Sequence, residues 1–258
     1  MHQETNQRVE GGRRSRGEAL DRKPLISIVT VVFRDKEELE SILNNVFGFD
    51  TSDFELIVID GGSNDGTVEL LQQWNEKIDY WLSEPDSGIY DAMNKGIEAA
   101  HGEYILHLNA GDRLIYLPVQ ELKDACMEQI DVAAFRVSDD GKREFHPSCG
   151  FLLRFRNTLH HQGTFYRRET FPQYDLQYKV LADFDVNQRL AMRGVKIKIF
   201  DRVVALHTSG GISSTRKGNS EHFSIIRKYH GWKYWVLAKM RSMGGRLMRR
   251  LVASHKIF

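Results

Sequence analysis

Leu25-Ile-Ser-Ile-Val-Thr-Val-Val-Phe33 is a nearly continuous run of aliphatic and β-branched residues. Such a run is typical of a strand that is buried on both faces of a parallel sheet. Phe54-Glu-Leu-Ile-Val-Ile-Asp60 has the same pattern, and residues 35–47 between the two have apolar side chains at helical spacing that end at Gly48. These three segments predict a β-α-β unit.

The alternation of strand and helix continues through the first half of the chain. We predict, in order, a helix that runs to about residue 76, a strand over 78–82, a helix over 88–101 and a strand over 104–109. Because the connections are short, the sheet should be parallel, with right-handed crossovers and helices on its faces. The second half is less regular, and for it we predict strands over 131–136, 142–155, 195–199 and 202–207, a helix over 180–193, and a flexible loop over 207–215.

The composition restricts the class of protein. The chain has 258 residues, 41% hydrophobic and 28% charged, which is enough for one large α/β domain. Its net charge of +1 disfavours uniform charge-driven binding to nucleic acid. Cys126 and Cys149 are too few for a disulfide-stapled scaffold or a four-cysteine zinc site. No apolar run approaches the ~18 residues of a transmembrane helix, and the polar N-terminus lacks the apolar region of a secretory signal.

The two ends of the chain differ from the middle. Residues 1–23 are polar, rich in Arg and Glu and without periodicity, so we expect a flexible leader. Residues 216–258 contain 11 Lys or Arg and one acidic residue, Glu221, with aromatic and aliphatic residues interleaved at roughly helical spacing. This composition favours a basic amphipathic helix on the cytoplasmic face of the cell membrane. The alternative is a helix that packs on its own domain and exposes a solvated basic face.

Ligands of open α/β sheets lie outside the carboxyl ends of the strands. This rule selects Phe33, the turn at Asp60 and the segment Asn109-Ala-Gly-Asp112. Asp60 can accept hydrogen bonds from a base or ribose, and Asp112 can bind Mg²⁺ or Mn²⁺ together with diphosphate oxygens. The structural alternative is that these acids cap a turn or the helix that follows.

Two helix starts carry further polar side chains. Asp91, Asn94 and Lys95 lie within about one helical turn, so they can point together at the same strand ends, or they can belong to an ordinary helix surface. Asp183, near the start of the predicted helix over 180–193, can be a general base or an acid that caps the helix. His207 is a lone histidine, and we interpret it as structural rather than as a metal ligand.

Six motifs, taken in their order and spacing, resemble the family 2 glycosyltransferases. The resemblance is to the bacterial branch that builds capsule, exopolysaccharide and O-antigen chains, and it covers residues 24–215. The motifs are Ser27–Phe33, Asp60–Thr67, Gly88–Gly96, Leu108–Asp112, His161-Gln162 and Ala182–Asp185.

The resemblance implies a GT-A fold, which is a single Rossmann-like nucleotide-binding domain with a mostly parallel central sheet. Residues 24–115 would form the nucleotide-sugar half and residues 116–215 the acceptor half. A mobile segment over the donor would include Gly210-Gly211. The resemblance assigns donor contacts to Val31, Phe33, Asp60, Asp91, Asn94, Lys95 and Asn109, metal binding to Asp112, the catalytic base to Asp183, and the acceptor side to His161 and Gln162.

One motif departs from the commoner family pattern. Where that pattern is Asp-Ala-Asp-Asp, this chain has Asn109-Ala-Gly-Asp112, so two of the three carboxylates are absent. Binding of Mg²⁺ or Mn²⁺ should therefore lean on Asp112 and on the diphosphate of the donor.

The expected function is an inverting, metal-assisted transfer of a sugar from a UDP- or GDP-sugar to a lipid-linked glycan, with no nucleic acid partner. The altered acidic motif leaves open a non-catalytic module that binds a nucleotide-sugar or a glycan, although such a module would not need Asp183. A nucleotidyltransferase would need a glycine-rich phosphate loop after the first strand, and Phe33-Arg-Asp-Lys36 contains no glycine.

Overall fold

The computed structural model describes residues 8–18, 23–139, 141, 143–207 and 216–254, and in the last helix it describes the side chains of residues 218–242. The Gly210-Gly211 segment and residues 1–7 and 19–22 of the expected leader lie outside the described residues.

Ten strands and six α-helices are found in the described part of the chain. The strands are β1 (Val9–Gly11), β2 (Ile26–Val32), β3 (Phe54–Asp60), β4 (Tyr80–Ser83), β5 (Tyr104–His107), β6 (Arg113–Leu114), β7 (Val132–Asp139), β8 (Arg143–Phe145), β9 (Thr164–Arg167) and β10 (Ile197–His207). The helices are α1 (Lys36–Val46), α2 (Thr67–Gln73), α3 (Ile89–Ala99), α4 (Val119–Met127), α5 (Ala182–Met192) and α6 (Arg216–Ser254).

All ten strands belong to one mostly parallel sheet. Its order is β1-β4-β3-β2-β5-β9-β7-β10-β6, and β8 pairs with β7. The pairs β4–β3, β3–β2, β2–β5 and β7–β10 are parallel. The antiparallel strand β9 joins the two parallel groups, so the halves of the chain form one continuous sheet.

Helices cover both faces of the sheet. The apolar side chains of α1, α2 and α4 pack in one core cluster, and those of α3, α5 and α6 pack in the other. Every residue of β2 and β3 is buried, as expected for strands covered on both faces. The predicted α/β class and mostly parallel sheet are therefore confirmed.

The second half differs from the prediction in several elements. The strand predicted over 142–155 is wrong: only β8 is extended, and Phe151–Arg154 form a short 3₁₀ helix. The two strands predicted over 195–199 and 202–207 are one strand, β10, with register shifts between Ile199 and Ala205. Helix α4 and strand β9 were not predicted. Strand β9 is short and is decided by its pairing with β5 and β7, whereas α4 has apolar residues at helical spacing, Val119, Leu122 and Ala125, which the prediction missed.

The expectation of a flexible leader is wrong for residues 8–18. Strand β1 pairs with β4 at the edge of the sheet, and Arg14–Arg16 form a 3₁₀ helix. The Arg14 guanidinium lies 3.2 Å from the wholly buried Glu55 carboxylate and donates to the carbonyl of Ala99. This buried ion pair compensates for the absence of local apolar periodicity.

The predicted domain boundary before residue 216 also differs from the structure. Ile225 and Ile226 of α6 are wholly buried against α5 and α3 in the core. The Glu221 carboxylate accepts hydrogen bonds from the backbone N–H groups of Lys179, Val180 and Leu181, directly before α5. The first half of α6 is therefore part of the same folded domain as the sheet.

Helix α6 bends at Gly231, where φ is 79° and ψ is −177°. Side chains with a Cβ essentially never adopt this conformation, so glycine permits the bend. No helix within the described residues is long and apolar enough to span a bilayer.

Candidate active site

Asp112 is the acid at the carboxyl end of β5, and it is nearly buried. One carboxylate oxygen accepts a hydrogen bond from the backbone N–H of Asn109 at 3.0 Å. The other oxygen lies 2.9 Å from Nδ1 of His207 and 3.3 Å from Nε2 of Gln162. Residues from β10 and from the 3₁₀ helix His161–Gly163 thus meet the first half of the chain at this acid.

Two amide oxygens beside Asp112 are buried without a hydrogen-bond partner: Oδ1 of Asn109 and Oε1 of Gln162. Buried polar atoms are normally paired, so their oxygens are suited to a ligand that supplies positive charge. Carboxylate, imidazole and amide oxygen are all groups that bind divalent cations. No group of three His, Cys, Asp or Glu side chains suited to a metal occurs within the described residues. Asp112, His207 and the two amide oxygens therefore fit a divalent cation whose remaining coordination positions are taken by oxygen atoms of a bound small molecule.

Asp183 is placed by the first turn of α5, and 13% of its side chain is exposed. Its Oδ1 accepts the backbone N–H of Phe184 at 2.8 Å and lies 3.4 Å from the hydroxyl of Tyr90. Its Oδ2 accepts Nδ2 of Asn157 at 2.7 Å. These neutral donors fix the orientation of the carboxylate, which stays partly exposed.

A chain of buried hydrogen bonds stands behind Asn157. The hydroxyl of Tyr166 donates to Oδ1 of Asn187 at 2.9 Å. The amide of Asn187 donates to Oδ1 of Asn157 at 2.9 Å. Tyr166 and Asn187 are wholly or almost wholly buried. This chain fixes the orientation of the Asn157 amide and, through it, the Asp183 carboxylate.

His161 lies between the two acids. Its Nδ1 is 3.7 Å from Oδ2 of Asp183, and its Nε2 is 3.5 Å from the side-chain amide of Asn109. The ring stacks on His160, and burial lowers the pKa of His160 to about 4, with the nearby rings of His161 and His207 acting in the same direction. A neutral His160 therefore adds no charge to the floor of the site.

Phe33, Gly61 and Asp86 lie together just beyond the carboxyl ends of β2, β3 and β4. Phe33 is 56% exposed although it follows a buried strand. A Cβ on Gly61 would lie 2.5 Å from a carboxylate oxygen of Asp86 and 3.2 Å from the Phe33 ring, so a side chain at this position would displace the Asp86 carboxylate. An exposed ring beside a carboxylate suits a nucleobase, which stacks and donates hydrogen bonds.

Two of the expected donor contacts face inward. Val31 is 6% exposed and packs in the core. Asp60 is wholly buried, and its carboxylate accepts hydrogen bonds from Ser63 and Ser83. The expectation that these two side chains contact the donor is corrected, because Asp60 instead holds the turn that carries Gly61.

The three polar residues of α3 are also engaged within the protein. Asp91 accepts the backbone N–H of Ser87 at 2.9 Å and so caps the helix start. Asn94 is buried and makes two hydrogen bonds to the backbone of Tyr174. Lys95 donates to the carbonyl of Pro85 and pairs with Glu84 at 2.8 Å. All three line one cavity with Leu82 and Glu84 at the carboxyl end of β4, so their contact with the donor stays a prediction.

Two further residues lie against Asp112. Gln162 was expected on the acceptor side, but it is 2% exposed and lies against Asp112 and His207. His207 was interpreted as structural rather than as a metal ligand; its ring lies 2.9 Å from the Asp112 carboxylate, and its role stays a prediction. The 3₁₀ helix His161–Gly163 and strand β10 bring Gln162 and His207 to Asp112. The spacing of these residues along the chain does not show this.

Three further residues belong to the site and were not singled out from the sequence: Asn157, Tyr90 and Asp86. Asp86 follows the carboxyl end of β4 closely, so the rule of strand ends could have found it. Asn157 and Tyr90 are hydrogen-bond partners of Asp183 from distant segments, and no local pattern marks them.

Comparison with known proteins gives a consistent result. Residues 27–114 match the family model described as glycosyl transferase family 2. A PGL/p-HBAD biosynthesis glycosyltransferase of Mycobacterium tuberculosis is 29% identical over 205 residues, which are 74% of this chain and 80% of that protein. An uncharacterized glycosyltransferase of M. tuberculosis is 32% identical over 187 residues, which are 66% of this chain and 70% of that protein.

Solved structures resemble this fold at low sequence identity. S. aureus TarS 1–349 in complex with UDP-GlcNAc matches with a TM-score of 0.58 and 17% identity, over 79% of this chain and 65% of that chain. The mannosyltransferase PcManGT from Pyrobaculum calidifontis, in complex with GDP-Man and Mn²⁺, matches with a TM-score of 0.62 and 14% identity, over 92% of this chain and 82% of that chain.

Proposed function

The chain belongs to the family 2 glycosyltransferases, and from this membership we propose that it transfers a sugar from a UDP- or GDP-sugar to a lipid-linked saccharide in cell-surface polysaccharide biosynthesis. The transfer inverts the anomeric carbon. The M. tuberculosis relative is named for PGL/p-HBAD biosynthesis, and the two solved structures contain UDP-GlcNAc and GDP-Man. These names support a nucleotide-sugar donor and a glycan product.

One observation carries the proposal: the two acids of the site come from different halves of the chain and lie on either side of His161-Gln162. Gln162 contacts Asp112, while His161 lies 3.7 Å from Asp183. In the proposal, residues 24–115 bind the nucleotide-sugar and residues 116–215 the acceptor. A base on one wall and the leaving group on the other is the arrangement that direct displacement needs.

Asp183 is the general base in this mechanism. The acceptor hydroxyl oxygen attacks the anomeric carbon, and a new carbon–oxygen bond forms. The bond from that carbon to the diphosphate breaks, and the nucleoside diphosphate leaves with the electron pair. The hydroxyl proton passes to the Asp183 carboxylate, which Asn157 and the backbone of Phe184 hold in place.

A divalent cation, Mg²⁺ or Mn²⁺, would supply positive charge that stabilises the leaving diphosphate. The residues that would hold it are Asp112, His207 and the unpaired amide oxygens of Asn109 and Gln162. The Mn²⁺ in the P. calidifontis enzyme supports this assignment. At the other end of the cleft, Phe33 stacks on the base and Asp86 accepts hydrogen bonds from it.

The proposed place of action is the cytoplasmic face of the cell membrane. Residues 222–258 contain no acidic residue. Ile225 and Ile226 of this segment pack in the domain, and the residues beyond the bend at Gly231 expose basic and apolar side chains. A one-sided cationic segment with interleaved aromatic residues binds anionic lipid surfaces. Such binding would keep the enzyme beside a lipid-linked acceptor.

The experiment that tests the base is the variant Asp183→Asn. It retains the shape of the side chain and its contacts with Asn157 but cannot accept the proton. We expect transfer from UDP- or GDP-sugars to a lipid-linked acceptor to fall by about 10²–10⁴-fold. Stabilisation of the variant by the matching nucleoside diphosphate with Mn²⁺ should be unchanged in a thermal shift.

Asp175→Asn, at a surface acid outside the site, is the matched control and should transfer at the parental rate. Transfer by Asp183→Asn at the parental rate would show that the base is another group. The anomeric configuration of the product, read by NMR, separately decides between inversion and retention.

A further inference from the structure

An open cleft of about 430 Å³ lies between α5, the 3₁₀ helix Phe151–Arg154 and α6, at the end of α5 opposite to Asp183. At a rise of about 1.5 Å per residue, Met192 is roughly 13 Å along the helix axis from Asp183. Most of the residues that line the cleft are apolar, among them Gly150, Phe151, Leu153, Ala191, Met192 and Ile197.

The polar side chains of this cleft are already paired within the protein. Gln188 donates to the carbonyl of Leu153 at 2.7 Å, and its Oε1 lies 2.7 Å from Nε2 of His230. Arg154 donates to the hydroxyl of Tyr234 at 2.8 Å. The cleft therefore offers apolar surface without an unsatisfied hydrogen-bonding group, which suits an apolar ligand.

The surface around the cleft is cationic. The segments that line it and continue from it, 149–154, 188–197 and 227–241, contain nine Lys or Arg and no Asp or Glu. Two of the nine, Arg189 and Lys228, pair with the buried Asp185, so seven cations remain. Arg193 and Lys233 are exposed, each directly after an exposed apolar residue. Positive charge of this density attracts anionic headgroups and repels a second copy of the same surface.

Large apolar side chains are exposed on the same surface. Phe151 is 63% exposed and Met192 61%, and both line the cleft. Phe151 and Tyr234 approach with ring centroids 6.5 Å apart, and the Arg154 guanidinium lies over both rings, so the cleft is continuous with the second half of α6. Exposed aromatic and aliphatic residues among cations are typical of a surface that lies in a lipid headgroup layer.

We propose that this cleft binds one hydrocarbon chain of an anionic bilayer phospholipid, with the headgroup phosphate beside Arg154 and Arg193. The proposal deepens the membrane location contained in the proposed function, because it assigns the contact to a cleft of the catalytic domain in addition to the C-terminal segment. The bound lipid would fix the far end of α5 at the bilayer and so set the height of Asp183 above it.

The first experiment is co-sedimentation of the full chain with vesicles of phosphatidylglycerol and phosphatidylcholine in equal parts, and with vesicles of phosphatidylcholine alone. We expect binding to the anionic vesicles only. Met192→Glu should weaken that binding by about tenfold or more, since it places a charge among apolar side chains at the cleft. Met127→Glu, at a methionine on α4 that is 76% exposed, is the matched control and should bind as the parent does.

The second experiment tests the cleft itself with a single-chain probe, lysophosphatidylglycerol below its micelle concentration. The parent should bind one molecule by titration calorimetry. Ala191→Phe fills the cleft without adding charge and should weaken this binding by about tenfold. Parental binding of the probe by Ala191→Phe, or no binding by the parent, overturns the proposal. A dimer of the parent in light scattering that Met192→Glu disrupts would also overturn it, because the occupant would then be a second copy.

The two proposals fail in different ways. Met192→Glu lies outside the catalytic residues, so it should hydrolyse the nucleotide-sugar at the parental rate in the absence of vesicles. If the parent transfers sugar and Met192→Glu binds vesicles as tightly as the parent does, the lipid cleft alone is refuted. A parent that binds vesicles and the probe but neither hydrolyses nor transfers sugar refutes the proposed function alone.

Discussion

The carboxylate of Asp183 depends on a neutral neighbour for its orientation. Asn157 donates to it at 2.7 Å, and Asn157 is itself held by Asn187 and Tyr166. A hydrogen bond to a charged group contributes about 1.5–3 kcal/mol, which corresponds to a rate change of roughly 10–100-fold if it is needed in the transition state. In the proposed mechanism Asn157 positions the Asp183 carboxylate, and its contribution can be measured separately from that of the proposed base.

We expect Asn157→Ala to lower kcat by about 10–100-fold while the affinity for the nucleoside diphosphate stays at the parental value. Asn157→Asp, which brings a second carboxylate to Asp183, should raise the pH at which the rate reaches half its maximum. Asn44→Ala, at an exposed amide on α1, is the control. An unchanged pH–rate profile in Asn157→Asp would remove Asn157 from the mechanism.

His222 on α6 is a second residue whose environment has a measurable consequence. Its ring stacks on Phe184, and burial lowers its pKa below the ordinary value, against the opposing effect of the bond to the carbonyl of Phe155. The native ring is neutral, so on acidification below about pH 6.5 the unfolded chain takes up a proton that the native chain lacks. The free energy of unfolding therefore falls as the pH falls through this window.

We expect His222→Gln to lose less of its free energy of unfolding than the parent between about pH 7 and pH 5, because glutamine keeps an N–H donor and does not titrate. Urea denaturation at the two pH values measures the difference. His146→Gln, at a histidine that is 66% exposed, should leave the pH dependence unchanged. An equal loss in His222→Gln and in the parent would mean that this histidine is not kept neutral by the fold.

At the scale of elements, the segment before β2 is a structural part of the sheet. Strand β1 extends the edge at β4, and Arg14 is the cation beside the buried Glu55. Glu55 also accepts hydrogen bonds from Ser27 and from the backbone N–H of His101. The pair therefore joins the first residues of the described chain to β2, to β3 and to the end of α3.

We expect Arg14→Met to lower the free energy of unfolding by about 3 kcal/mol, since it leaves a buried carboxylate without its cation. The hydrogen bonds that remain on Glu55 lessen the loss, and Glu55→Gln combined with Arg14→Met should recover part of it. Arg8→Met, at an exposed arginine of the same segment, is the control and should leave stability unchanged. If Arg14→Met is as stable as the parent, the segment before β2 behaves as the flexible leader that its composition suggests.

At the scale of the whole molecule, helix α6 belongs to two parts of the protein. Up to Tyr229 it is packed on α5, where Lys228 and Tyr229 bond Asp185 and Glu221 binds the backbone before Asp183. Beyond the bend at Gly231, exposed apolar and basic side chains become frequent. The position of a truncation therefore decides whether the proposed membrane binding alone is lost or the fold of the domain with it.

We expect a chain that ends at residue 242 to keep its fold and its affinity for the nucleoside diphosphate, and to bind anionic vesicles more weakly. A chain that ends at residue 215 should lose cooperative unfolding, because Ile225 and Ile226 leave a large apolar gap over α5. Circular dichroism during thermal denaturation distinguishes the two. If the shorter chain binds the nucleoside diphosphate with parental affinity, the domain ends before residue 216, as the distribution of charge alone suggests.

The sequence by itself determined the parallel half of the sheet and the positions from which the site is built. Strands β2 and β3 and helix α1 are local patterns of apolar residues, and the carboxyl ends of the strands follow from them. Asp112 and Asp183 could be selected because each stands at such an end or at a helix start. Local periodicity is readable in one sequence because neighbouring residues produce it.

Only the tertiary structure decided which polar side chains face the cleft. Asn and Asp are residue types that often contact ligands. In this fold, however, Asn94 hydrogen-bonds to the backbone of Tyr174, and Asp60 accepts a hydrogen bond from the hydroxyl of Ser83. The His207 ring contacts Asp112, which lies 95 positions earlier in the sequence, and Asn157 donates a hydrogen bond to Asp183, which lies 26 positions later. A polar side chain is satisfied by whichever partner the fold brings within about 3 Å. That partner depends on how distant strands pair, which no spacing along the chain records.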